Sequence, residues 1–414
     1  MTDPIFFFEI PFDFVLFAVT LLGIAVFHRH TLPIALGGLV TITMYKLSFS
    51  SFAEGAGFAG LVVHLSHEFS LLANLFLLLM AFALLSRHFE ESGIPDAMPR
   101  LLPGGWKGCM TLLAIVFVLS SFLDNIAGAL IGGTLARHVF GGKVHIGYLA
   151  AIVAASNAGG AGSVLGDTTT TMMWVSGISP LSLFKAYVAA AVAFLIFAVP
   201  ASLQQQRYSA LINDGGQELS VDFARVLIVG AILIAALAAN IATNVHFPEL
   251  LGRVPVLGLA VWVVIFATAM VRRPDWSVLP ETFKGTIFLI ALVVSASMMP
   301  VEKLPSASWQ TAFGLGAVSA AFDNIPLTAL ALKQGGYDWG YLAYTVGFGG
   351  SLIWFGSSAG VALSNQYPEA KSVGPWLRHA WYIAAAYIIA FFVMLFLIGW
   401  HPDPALGNSR IGRD

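Results

Sequence analysis

Long apolar runs dominate the chain, separated by short polar joints. The runs 14–27, 186–200, 226–242, 256–270 and 381–398 are long enough to span or nearly span the hydrocarbon of a bilayer, which takes about 20 helical residues. The pattern predicts ten spans, at 11–28, 31–48, 69–86, 145–177, 181–200, 222–244, 254–271, 283–299, 341–364 and 377–399. The fourth and ninth are interrupted by glycines and polar residues and read as broken helices. Two more apolar stretches, 109–137 and 308–333, each carry an Asp-Asn pair near the middle. They read as re-entrant hairpins with that pair at the tip.

The polar interruptions occur twice in the same form. Residues 121–125 read Ser-Phe-Leu-Asp-Asn, and 320–324 read Ala-Ala-Phe-Asp-Asn. Further on, Gly159-Gly160…Gly166-Asp167-Thr168 aligns without a gap on Gly349-Gly350…Gly356-Ser357-Ser358. The expected fold class is therefore an all-α polytopic membrane protein of two inverted repeats, with about ten transmembrane helices, two opposed re-entrant hairpins and two broken helices. The first repeat covers 1–200, a polar cytoplasmic linker 201–221, the second repeat 222–399, and a tail 400–414. A polar site built twice from broken helices points to a secondary transporter, because such sites lie where two repeats meet.

Composition agrees. Hydrophobic residues make up 58% of the chain and charged residues 10%, against about 25% charged in soluble domains. A net charge of −2 and the lack of a basic stretch argue against nucleic-acid binding. The one cysteine, Cys109, excludes an intramolecular disulfide and a multi-cysteine metal site. Asp3, Glu9 and Asp13 precede the first basic residue, Arg29, which is not the basic start of a cleaved signal peptide, so the first span is expected to be retained. With the N-terminus outside and both hairpins re-entrant, 13 of the 20 basic residues face the cytoplasm and 7 face out, as the positive-inside bias requires.

Three acids lie well inside apolar segments: Asp124, Asp167 and Asp323. A carboxylate at membrane depth is costly unless partnered or hydrated and is by default a functional candidate. No Lys or Arg sits within a few positions of any of them, although each can also cap a helix. Oxygen donors accompany them: Asn125 and Asn324 beside the tips, Asn157 at the opening of the first broken stretch, Thr168 and Thr169 after Asp167, and Ser351, Ser357 and Ser358 in the second half. Carboxylate, amide and hydroxyl oxygens suit a hard cation such as sodium, and no His or Cys lies in either frame. The glycines are expected to break the helices at mid-membrane, exposing backbone to a cavity; close helix packing is their other reading. His67 and Glu68 mark the outer start of the third span, where a histidine can sense pH.

The runs LDNIAGALIGGTLARHVFGG…AASNAGGAGSVLGDTTTTMMWVSG and FDNIPLTALAL…LAYTVGFGGSLIWFGSSAGVAL resemble the two halves of D-type sodium/proton antiporters of the ion-transporter superfamily. The resemblance covers most of the chain from about residue 68 to 381. It implies exchange of sodium or lithium for protons across a bacterial inner membrane, with no cofactor and no enzymatic activity. It further implies roles for the residues at Asp124, Asn157, Asp167, Thr169, Ser351 and Ser357, and, from dimeric relatives with elevator-like motion, a possible homodimer. Superfamily members that carry citrate, other dicarboxylates or arsenite supply the alternative, an anion transporter coupled to sodium or protons. An intramembrane enzyme using paired aspartates is disfavoured, since a hydrolase gains nothing from a mirrored second half.

Overall fold

A computed structural model describes residues 6–403 except 8–9, 28–29, 53, 95–101, 212–220, 248–249 and 251–252. Asp3, Glu9 and Arg29, residues 212–220 of the expected linker 201–221, and the tail beyond 403 lie outside the described residues. The described chain is helical apart from an antiparallel pairing of Phe6–Phe7 with Ile10–Pro11. Helices are the expected solution, because in lipid every backbone N–H and C=O must be satisfied within its own segment. Among the described residues, six helices are long and apolar enough to cross a membrane, and shorter apolar helices accompany them. The chain is a multi-pass membrane protein.

Helices α1 (Phe12–Val26), α2 (Thr31–Phe49) and α3 (Gly57–Glu90) come first. Helix α3 starts twelve residues before the expected 69–86 span. His64, His67 and Glu68 interrupt the hydropathy there, but His64 is buried and hydrogen-bonded, so the helix runs on. Then follow α4 (Trp106–Ser120), α5 (Asn125–Val139), α6 (Ile146–Ala161), α7 (Thr168–Val175), α8 (Pro180–Phe184) and α9 (Ala186–Tyr208). Helix α9 continues through Pro200, where the sequence reading ended it. The second half holds α10 (Phe223–His246), α11 (Val256–Thr268), α12 (Leu279–Ser297), α13 (Trp309–Ser319), α14 (Asn324–Gln334), α15 (Trp339–Gly349), α16 (Ser358–Gln366), α17 (Val373–His379) and α18 (Trp381–Ile398).

The sequence frames return as helix pairs. Helices α4 and α5 meet at Asp124, and α13 and α14 meet at Asp323. The broken segments resolve into α6 with α7 and α15 with α16. The halves interlock reciprocally: α5 of the first packs on α16 of the second, α14 of the second packs on α7 of the first, and α6 packs on α15. Helices α1, α2, α3, α10, α11 and α12 form a second group, which meets this core through α3 on α7 and α12 on α14.

Glycine's role differs from the expected one. Gly159, Gly160, Gly347 and Gly349 lie inside α6 and α15, and the breaks begin only after Ala161 and Gly349. A Cβ on Gly159 would stand 2.0 Å from the Phe117 carbonyl oxygen, and one on Gly349 would stand 2.1 Å from that of Gly316. These two glycines let α4 and α13 press backbone to backbone on α6 and α15. The close-packing reading is therefore the correct one for them.

Candidate functional site

Four helices begin where the halves interlock, and each begins on a polar cap. Asp124 and Asp323 hold the N-cap positions of α5 and α14 with nearly the same backbone angles, φ −54°, ψ 145° and φ −53°, ψ 141°, although of the two only the Asp323 side chain accepts a cap hydrogen bond. Asp167 caps α7 at φ −149°, ψ 141°, and Ser357 caps α16 at φ −143°, ψ 153°. In each case the first turn of the helix leaves backbone N–H groups without intrahelical partners. Asp167 Oδ1 accepts from Thr169 N at 2.8 Å, Asp323 Oδ1 from Ile325 N at 3.0 Å, and Ser357 Oγ from Gly360 N at 3.2 Å.

Asp167 is the centre of the arrangement and is 1% exposed. Oδ1 also accepts from the Thr169 hydroxyl at 2.9 Å, and Oδ2 accepts from Asn125 Nδ2 at 2.9 Å. Asn324 Nδ2 approaches both oxygens, at 3.5 and 3.4 Å. The two Asp-Asn tips thus converge on one carboxylate. Thr170 and Thr171 donate to the Asp167 carbonyl at 2.8 and 3.0 Å and hold the turn that presents it.

Asn157 joins the halves. Its Oδ1 accepts from Asn125 at 3.1 Å, while its Nδ2 donates to Ser351 Oγ at 2.9 Å and to Ser357 Oγ at 3.1 Å. It sits in the last turns of α6 rather than at the opening of the break. Behind it, Ser156 donates to the Asn125 carbonyl and pairs with Ser120 at 2.7 Å. Ser120 and Ser156 escaped the sequence reading because small hydroxyl residues are common in membrane helices and carry no charge to mark them.

Of the remaining candidates, Ser358 donates to Asp323 Oδ2 at 3.2 Å. Among the described residues, no side-chain hydrogen bond joins Asp124 or Thr168 to the Asp167 network. Asp124 and Asp323 are half-buried. A cavity of about 430 Å³ reaches Asp323 and Ser358 along one face of α12, past Glu281, Lys284, Phe288 and Leu292.

Burial extends to two acids outside the polar frames. Asp13 and Asp338 are also buried, Asp13 beside Lys46 at 3.1 Å and Asp338 accepting from Gly340 N and His401 N. They stand near helix ends, where hydropathy alone places them at the surface.

The fold and the site define a class: a helical membrane protein with one fully buried carboxylate ringed by amides and hydroxyls from both halves. No family model matches the chain. It is 26% identical over 352 residues to the Na(+)/H(+) antiporter NhaD of Vibrio parahaemolyticus, covering 72% of this chain and 84% of that protein. It is 27% identical over 329 residues to NhaD of Alkalimonas amylolytica, covering 68% and 67%. Against sodium/proton antiporter 1 of Arabidopsis thaliana it is 27% identical over 285 residues, covering 60% of this chain and 48% of that protein. It thus spans about half the length of that plant relative. The chain resembles the NhaD antiporters along most of its length.

Proposed function

We propose that this protein is a secondary transporter that exchanges sodium or lithium for protons across a bacterial inner membrane, and that it is not an enzyme. The observation that carries the reading is Asp167: a fully buried carboxylate with three oxygen-bearing side chains around it, Asn125, Thr169 and Asn324, and no Lys or Arg among its partners. Four helix N-termini contribute roughly +0.5 charge each, about +2 in all, against three aspartates at their starts. The remainder, roughly −1 when all three are ionised, suits one monovalent cation or one proton. Competition for one carboxylate gives exchange.

Two inverted repeats with opposed re-entrant hairpins are part of the same reading. Support comes from the matched cap angles, the matched close approaches at Gly159 and Gly349, and the reciprocal packing of α5 on α16 and α14 on α7. The lining of the cavity at Asp323 includes Glu281 and Lys284 near the start of α12, the cytoplasmic end in the expected topology. Anion transport is the weaker alternative, because the only basic side chain lining that cavity is Lys284 and the network of Asp167 contains none.

Fluorescence of a pH dye in everted vesicles tests the reading. Sodium and lithium are expected to dissipate an imposed proton gradient, whereas potassium and citrate leave it intact. The apparent sodium affinity is expected to weaken as pH falls, by up to about tenfold per pH unit when one proton competes for the site. A response to citrate alone, or none to sodium and lithium, overturns it.

A further inference from the structure

Helix α14 has one end in the ion site and the other in an unrelated polar cluster. At its start, Asp323 and Asn324 face Ser358 and Asp167. At its end, the Lys333 ammonium donates to the carbonyls of Ser297 and of Met299, the latter at 2.6 Å. The Ser297 carbonyl belongs to the last turn of α12, which has no intrahelical donors for its carbonyls and presents the negative end of the helix dipole; Met299 lies just beyond the helix, and its carbonyl also accepts from Val301 N at 3.0 Å. Ser297 is itself held from a third element. His64 of α3 lies 2.9 Å from its hydroxyl, and Glu54 lies 3.0 Å from the other ring nitrogen of His64.

We propose that Lys333 is a positioning residue for the ion site: a latch that fixes the axial position of α14 against α12, and through it the distance from Asn324 to Asp167. The inference rests on the exchange reading above. An 11-residue helix is a rod of about 16 Å, so an axial slip at Lys333 is passed on to Asn324 almost undiminished. The Asn324–Asp167 contacts, at 3.4 and 3.5 Å, are long enough that a slip of an ångström decides whether they form. The latch also stands at the far end of α12 from Glu281 and Lys284, which line the cavity.

The test uses the full chain in vesicles with Lys333→Met and Lys333→Arg, each checked for membrane level. Lys333→Met is expected to raise the apparent sodium KM at least fivefold while the maximal rate stays within about twofold. Lys333→Arg, which keeps two donors and the charge, is expected to restore most of the affinity. A purely structural lysine would instead lower the amount of protein or the maximal rate. Hydrogen–deuterium exchange gives a readout that does not need transport: Lys333→Met is expected to speed exchange across 325–332 while 126–139 is unchanged. If Lys333→Met does not accumulate, Lys333→Gln is expected to show an intermediate rise in KM. A wild-type KM or wild-type protection of 325–332 in the variant that is measured overturns the latch. Wild-type protein that moves no protons with sodium or lithium overturns the exchange reading instead, and protection of 325–332 then decides the latch alone.

Discussion

At the scale of the residue, Asp167 carries two duties that one substitution can separate. Oδ1 caps α7 through Thr169, while Oδ2 faces the Nδ2 groups of Asn125 and Asn324. Asparagine at this position keeps an oxygen for the cap but turns its own N–H₂ toward those donors. A buried donor left unsatisfied costs about 1–3 kcal/mol. Asp167→Asn is therefore expected to lose sodium-dependent proton movement to background while the protein still inserts, with a melting temperature lower by a few degrees. Exchange at near wild-type rate would reduce Asp167 to a cap and shift the coupling role to Asp124 or Asp323. This residue was legible in the sequence because a carboxylate in an apolar run has no bland explanation. Asp13 with Lys46 was not, since its partner lies 33 positions away and both stand near helix ends, where charge is unremarkable.

At the scale of the element, the glycines of α6 and α15 set how closely the hairpin helices approach. Gly159→Ala and Gly349→Ala would each drive a methyl into a backbone carbonyl, which side-chain adjustment cannot relieve. Overpacking of this kind costs about 1–3 kcal/mol or more, so both variants are expected to lower the melting temperature in detergent and the yield of monodisperse protein. Gly230→Ala in α10 has open space around it and is expected to be neutral or slightly stabilising; equal losses in all three would discount the close approach. Hydropathy and the repeated frame made the helix pairs that meet at Asp124 and Asp323, the broken helices and most apolar helices readable. The ends of α3 and α9 were hidden, because a histidine pairing and an in-helix proline are settled by tertiary partners that local pattern does not contain.

At the scale of the whole molecule, the interlocked halves determine how the chain can lie in a bilayer. A hairpin that enters and returns leaves both its ends on one face, so cysteines introduced beside Lys107 and beside Lys143, which flank α4 and α5, are expected to label from the same, cytoplasmic, side. Labelling from opposite sides would mean that the segment crosses and that the re-entrant topology is wrong. The close approaches at Gly159 and Gly349 bear on how such a chain can evolve. Asp167 and Ser357 hold matched cap positions with different side chains, each satisfied by its own hydrogen bonds. A Cβ on either of the two glycines would stand 2.0 or 2.1 Å from a carbonyl oxygen, so any side chain there forces the backbones apart. Charge at the helix caps is thus free to be redistributed, while the close approaches that bring the helix starts together stay fixed.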